Sequence, residues 1–149
     1  MAELVIGLGK VLFLHKSVGH YTSLRVKLRP KQKFIPLYQF IFDNADSDST
    51  WADAAQHFDY QFVRDWAAIG RCNFIPFGAL SGTDWEEDDP EWDLDFDGIF
   101  RFQCSLKNYE GEIETWFELF KHTWVAVDGW IYCEDWEKSS RLDNHFDLD

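Results

Sequence analysis

Basic residues are scarce in this chain, 14 Lys and Arg against 27 Asp and Glu, for a net charge of −13. Most faces of such a molecule repel a phosphate backbone, so direct nucleic-acid binding is not expected and a cationic protein partner is. Cysteine is as sparse. Cys72, Cys104 and Cys133 are odd in number, widely spaced and lack a C-x-x-C pair, which argues against a disulfide framework or a zinc ribbon. Each lies in an apolar stretch, as buried, reduced thiols of a cytoplasmic protein do. Long hydrophobic runs are missing too. The stretch from Leu4 to Leu14 is interrupted by Lys10, preceded by Glu3 and followed by no small-residue cleavage site. It is expected to be neither a signal peptide nor a membrane span.

Motifs for chemistry are absent as well. No G-x-S-x-G presents a nucleophile, and Gly7-x-Gly9-Lys10 lacks the spacing and the hydroxyl residue of a phosphate loop. His15 and His20 have no Cys or His cluster to complete a tetrahedral zinc set. The expectation is a protein without enzyme activity, catalytic residues or cofactor.

What the chain does have is acid in one place. Between Asp84 and Asp97 stand nine carboxylates in fourteen residues: Asp84, Glu86, Glu87, Asp88, Asp89, Glu91, Asp93, Asp95 and Asp97. No Lys or Arg lies among them, and each charge costs several kcal/mol to strip of water unless it is paired. Yet Trp85, Trp92, Leu94 and Phe96 are threaded through the same stretch, and aromatic groups make up the centres of protein interfaces. Trp85, Trp92 and Trp136, set among acids, are expected to be exposed. The partner-binding candidates are therefore Asp84, Trp85, Glu86, Glu87, Asp88, Asp89, Glu91 and Trp92.

Residues 1–33 are the opposite, with seven bases against Glu3 alone, a balance of +6 that leaves −19 for the other 116 residues. The two regions can pair with each other, or the acidic one can steer a basic partner.

A rival role for the segment is metal binding, in a calcium-binding module or a metal-dependent enzyme. Asp93-x-Asp95-x-Asp97-Gly98 reproduces the first half of an EF-hand calcium loop, but Cys104 stands where the bidentate glutamate belongs and the following residues read as a strand. Asp93, Asp95 and Asp97 are the ligands of that alternative.

At 149 residues, 46% of them hydrophobic and 18% aromatic, the chain suits a single domain with a substantial core. Val5 to Leu14 and Ser23 to Arg29 read as strands, the second with Leu24, Val26 and Leu28 on one face and bases on the other. Phe34 to Phe42 reads as a third extended segment, placed at an edge or bulge by Pro36. A helix starting at Thr50 carries Trp51, Ala54, Phe58, Phe62, Trp66 and Ile69 to a stop at Gly70. From Phe100 to Lys107 the period becomes two, with Phe100, Phe102, Cys104 and Leu106 on the apolar face. A second helix from about Glu110 to Thr123 buries Ile113, Trp116, Phe117 and Phe120, with Glu110, Glu112, Glu114 and Glu118 facing out. Val125 to Tyr132 reads as a last strand, interrupted at Asp128-Gly129, and residues 134–149 read as a polar, loose tail. The fold class is α+β: one domain, a mainly antiparallel sheet and two main helices packed on one face.

The run Ser105-Leu106-Lys107-Asn108-Tyr109-Glu110-Gly111-Glu112-Ile113-Glu114, between strand and helix, resembles the strand-to-helix element of small acidic immunity-type inhibitors that bacteria pair with secreted toxins. The resemblance spans Gly98 to Trp136. It implies a stoichiometric inhibitor with an α+β fold and carries no catalytic residue across. A phage-type DNA mimic acting on a defence nuclease, such as an anti-CRISPR protein, is a second version of the same surface logic.

Overall fold

The computed structural model describes residues 3–4, 14–15, 20–80, 89–134 and 138–148, with side chains for the last three spans. Most of the strand expected over residues 5–14, the candidates Asp84, Trp85, Glu86, Glu87 and Asp88, and Trp136 lie outside the described residues. Two short pieces, β1 (Glu3–Leu4) and β2 (Leu14–His15), pair antiparallel.

The alternation in residues 22–30 produces β3 (Thr22–Pro30), the centre of a five-stranded antiparallel sheet. On one side it pairs with β5 (Phe100–Leu106), on the other with β6 (Trp124–Cys133). β4 (Asp95–Phe96) borders β5, and β7 (Ser139–Arg141) borders β6, giving the order β4-β5-β3-β6-β7. Leaving out β7, this is the split β-α-β arrangement, with helical segments after β3 and after β5.

Register places Leu24, Val26 and Leu28 beside Cys104, Phe102 and Phe100 on one side and Ile131, Gly129 and Val127 on the other. This inner face is dry, its Leu24, Val26, Phe102, Cys104 and Ile131 having no solvent exposure. Period-two patterning thus yields the expected α+β class and the expected face of β5. Gly129 does not interrupt β6. Its φ of +152° and the Arg25 carbonyl oxygen lying against the place a Cβ would take show that the strands approach too closely there for any side chain.

Two expectations about residues 34–70 need correction. The extended segment at Phe34–Phe42 is instead helix α1 (Ile35–Asp43), with Pro36 in its first turn, where the missing N–H costs nothing, and Leu37, Tyr38 and Ile41 on a buried helical face. The single helix from Thr50 is two, α2 (Thr50–His57) and α3 (Gln61–Ala67), parted by extended backbone at Phe58 and Tyr60. Packing explains the break. Trp51 and Trp66 would stand about 22 Å apart on a straight helix, yet both rings meet Phe120, at 5.2 and 6.2 Å between centroids. One further turn, α4 (Phe74–Phe77), leads back to the sheet, and Trp51 Nε1 donates to the Ile75 carbonyl at 2.7 Å.

Helix α5 (Glu112–Phe120) buries Ile113, Trp116, Phe117 and Phe120 as its spacing predicts, but Glu112 and Glu114 are buried too. A hydrogen-bonded chain ties its end to α1. Trp124 Nε1 donates to the Tyr38 hydroxyl at 2.8 Å, and Thr123 Oγ1 donates to the Phe120 carbonyl, so the Tyr38 hydroxyl donates to Thr123 Oγ1 at 2.8 Å. Burial pushes the Tyr38 phenol well above its ordinary range. The tail is not loose over its described part. β7 extends the sheet, Leu142 and Phe146 are buried, and Phe146 stacks on Phe117 at 4.4 Å.

Candidate functional site: an acidic segment on a basic sheet face

The outer face of the sheet carries Arg25 and Lys27 from β3 and Arg101 and Gln103 from β5, since these alternate with the core residues. Over them lies the described part of the acidic segment. Pro90–Trp92 forms a single 3-10 turn, started by Pro90 and capped by Asp89, whose Oδ1 accepts from the Glu91 backbone N–H at 3.1 Å.

Each charge of this turn meets a strand residue. Lys27 Nζ donates to Glu91 Oε1 at 2.7 Å, and Arg25 Nη1 stands 4.0 Å from Asp89 Oδ2. Gln103 links the two layers. Its Nε2 donates to the Asp89 carbonyl at 3.0 Å and to Asp93 Oδ1 at 3.1 Å, while its Oε1 accepts from Arg25 Nε at 3.1 Å. The pairing of basic N-terminal strand with acidic segment, one of the two outcomes the charge division allowed, is therefore present among the described residues.

Trp92 is not exposed. It retains 7% of its accessible surface, and Lys27 Nζ lies 4.3 Å from its ring centroid. The flanking acids Glu91 and Asp93 turn outward while the indole turns down onto the lysine, since alternate side chains of a short turn leave in different directions. Cation–π contact and burial together fix the turn on the sheet.

Asp95, Asp97 and Gly98 form the tight connection from β4 into β5, with Gly98 at a φ of +99°. Arg101 Nη2 donates to Asp95 Oδ2 at 3.1 Å and to Asp97 Oδ2 at 2.8 Å. A guanidinium thus stands between two of the three proposed calcium ligands, and the third, Asp93, accepts from Gln103. Among the described residues no group of three or more His, Cys, Asp or Glu could hold a metal ion.

Beyond the turn, Trp92 and Trp130 bound an open groove of about 410 Å³, with Arg25 at its base and Asp89, Glu91 and Asp128 on its walls. Arg141 stacks over Trp130 at 5.3 Å and pairs with Asp128.

The sequence reading missed one constellation. At the start of α5, Glu114 is 1% exposed; its Oε1 accepts from Asn108 Nδ2 at 3.1 Å and its Oε2 has no partner among the described residues. Burial, above all, with the nearby Glu112 adding to it, pushes the Glu114 carboxyl up to about 7. Asn108, in the left-handed region at φ +47°, also accepts the Ile113 N–H through Oδ1 at 2.9 Å. The signal was Asn108 followed by Gly111, a helix entry in which the Asn side chain, not a carboxylate, caps the turn.

No family model matches this chain, and no curated protein or solved structure does. Among the described residues no helix is long and apolar enough to cross a membrane.

Proposed function

We propose that this protein is a non-enzymatic binding protein whose acidic surface covers a basic face of a protein partner, a face that handles nucleic acid or performs catalysis. An immunity-type inhibitor of a toxin and a DNA mimic acting on a nuclease are its two versions. The observation that carries the reading is the way the internal charge is used. Asp89, Glu91, Asp95 and Asp97 already answer Arg25, Lys27 and Arg101, so these three cations are engaged from within a chain whose net balance is −13.

In this reading Trp92 holds the segment against the sheet, and the carboxylates around it, Asp84 to Glu91, meet the partner. Carboxylates at a rim act chiefly on the rate of encounter. The calcium alternative has less support, because Arg101 and Gln103 already engage its three aspartates.

The test is to isolate the partner from host lysate at low salt, reconstitute the complex from pure components and measure association rates across a salt series. Asp88→Lys with Asp89→Lys is expected to slow association about tenfold at low salt, with the difference shrinking as salt rises. Equal association rates at every salt concentration would remove the acidic segment from the interface. Competition by duplex DNA for the same partner would select the DNA-mimic version.

A further inference from the structure

A second cleft, distinct from the acidic turn, opens where β5 leaves the sheet. It has a volume of about 360 Å³ and is lined by Tyr21, Arg71, Phe74, Lys107 and Tyr109 with adjoining backbone. That is within the ordinary range of small-molecule pockets, about 300–1,000 Å³. Its walls alternate rings and cations, an unusual composition for a surface of so acidic a chain.

The two cations are held differently from those under the acidic turn. Lys107 Nζ sits between two rings, 5.4 Å from the Tyr21 centroid and 6.0 Å from that of Tyr109. Unlike Arg25, Lys27 and Arg101, it has no carboxylate within ion-pair distance among the described residues. The Arg71 guanidinium lies 4.6 Å over Tyr109 and 6.0 Å from Phe74. Its Nε stands 3.9 Å from Glu112 Oε2, a carboxylate whose side chain is only 1% exposed. Stacking and a buried anchor thus fix the plane of the guanidinium, while its terminal amino groups have no acceptor among the described residues. A guanidinium held in this way is prepared to accept a phosphate or carboxylate through two parallel hydrogen bonds.

The rings define the rest of the ligand. Phe74 is 44% exposed, the one exposed Phe, Tyr or Trp among the described residues, and it borders the cleft. A flat apolar body placed there would cover it and stack on a wall that already accepts planar groups.

We propose that this cleft binds a small anion carried next to a planar ring, the chemistry of a nucleoside monophosphate, with Arg71 and Lys107 on the phosphate and the ring against Phe74 and the tyrosines. The site is independent of the acidic turn and of the partner reading above.

Calorimetry on the full chain with adenosine monophosphate, adenosine and inorganic phosphate tests it. The monophosphate is expected to bind one to one, about tenfold or more tighter than either fragment alone. Lys107→Gln, which removes no ion pair, is expected to weaken it about tenfold with the melting temperature unchanged. Arg71→Lys, which keeps the charge opposite Glu112 but loses the planar fork, is expected to weaken it as well. Absence of saturable heat from the monophosphate up to about 10 mM overturns the proposal. So does phosphate binding as tightly as the monophosphate, or affinity that survives Lys107→Gln.

Discussion

The two faces of one sheet are stabilised by different means. Inward, β3, β5 and β6 present Leu24, Val26, Phe102 and Ile131 to a layer of aromatic helices, with no exposure. Outward, Arg25 and Lys27 of β3 and Arg101 of β5 are cations held by acids that remain in water: Lys27 is 23% exposed and its partner Glu91 64%. Ion pairs so exposed contribute roughly 0–1 kcal/mol each. Burial of a large side chain contributes several times more. The acidic turn is therefore held chiefly by the one residue that imitates the inner face, Trp92, and its charges remain available for something else.

The largest effect is expected on the inner face. Phe102→Ala should cost about 3–5 kcal/mol, because the emptied site lies against Trp116 and Phe100 and has little room to collapse. Chemical denaturation measures it, and an unchanged midpoint would erase the contrast between faces.

Next in size is the effect of the buried Glu114 carboxyl on α5. The Glu114 carboxyl rises from 4.5 to about 7 on folding, so between those values the folded state holds a proton that the unfolded state has released. Stability falls as pH rises through that window and levels off above about 7, by on the order of 3 kcal/mol in total. Unfolding measured from pH 4 to 8 should show this decline in the wild type, and Glu114→Gln should flatten it. Identical profiles for the two would place the titration elsewhere.

The smallest effects sharpen the outer face. Trp92→Ala is expected to cost about 2 kcal/mol of stability, less than a central core position since its ring is covered on one side by the Lys27 ammonium. Lys27→Met, which keeps the stem and removes the charge, should change stability by less than about 1 kcal/mol. If Lys27→Met costs as much as Trp92→Ala, charge and not burial fixes the turn.

Strand β5 was readable because Phe100, Phe102, Cys104 and Leu106 alternate with polar residues over a full strand length, and α5 because its aromatic residues recur at helical spacing. Residues 34–42 were misread because nearly every position is apolar, which leaves no period to measure, and Pro36 suits a strand edge as well as a first helical turn. The break at Phe58 was invisible for a different reason. Its aromatic spacing continues unbroken, and only the need of Trp51 and Trp66 to reach the same Phe120 forces the bend. Local context also misled at Trp92, where charged neighbours suggested exposure although a lysine from a distant strand covers the ring. Glu112 and Glu114 were placed on the outer face because a Glu in a first helical turn ordinarily faces water, yet both are buried. Of the candidate binding residues, Asp89, Glu91 and Trp92 come together on Arg25, Lys27 and Gln103, none of which had been assigned a role in the site.

The central position of β3 bears on how the protein is made. Both neighbours of this early strand, β5 and β6, belong to the second half of the chain, so during synthesis it emerges with neither partner available. Contacts so distant in sequence slow folding, and a strand waiting with two open edges invites pairing with other nascent chains. Arg25, Lys27 and Arg29 give it a charged face and mutual repulsion with its own kind throughout that wait. The acidic turn that later settles on them arrives just ahead of β5, so the neutralising charge and the first pairing edge come off the ribosome together.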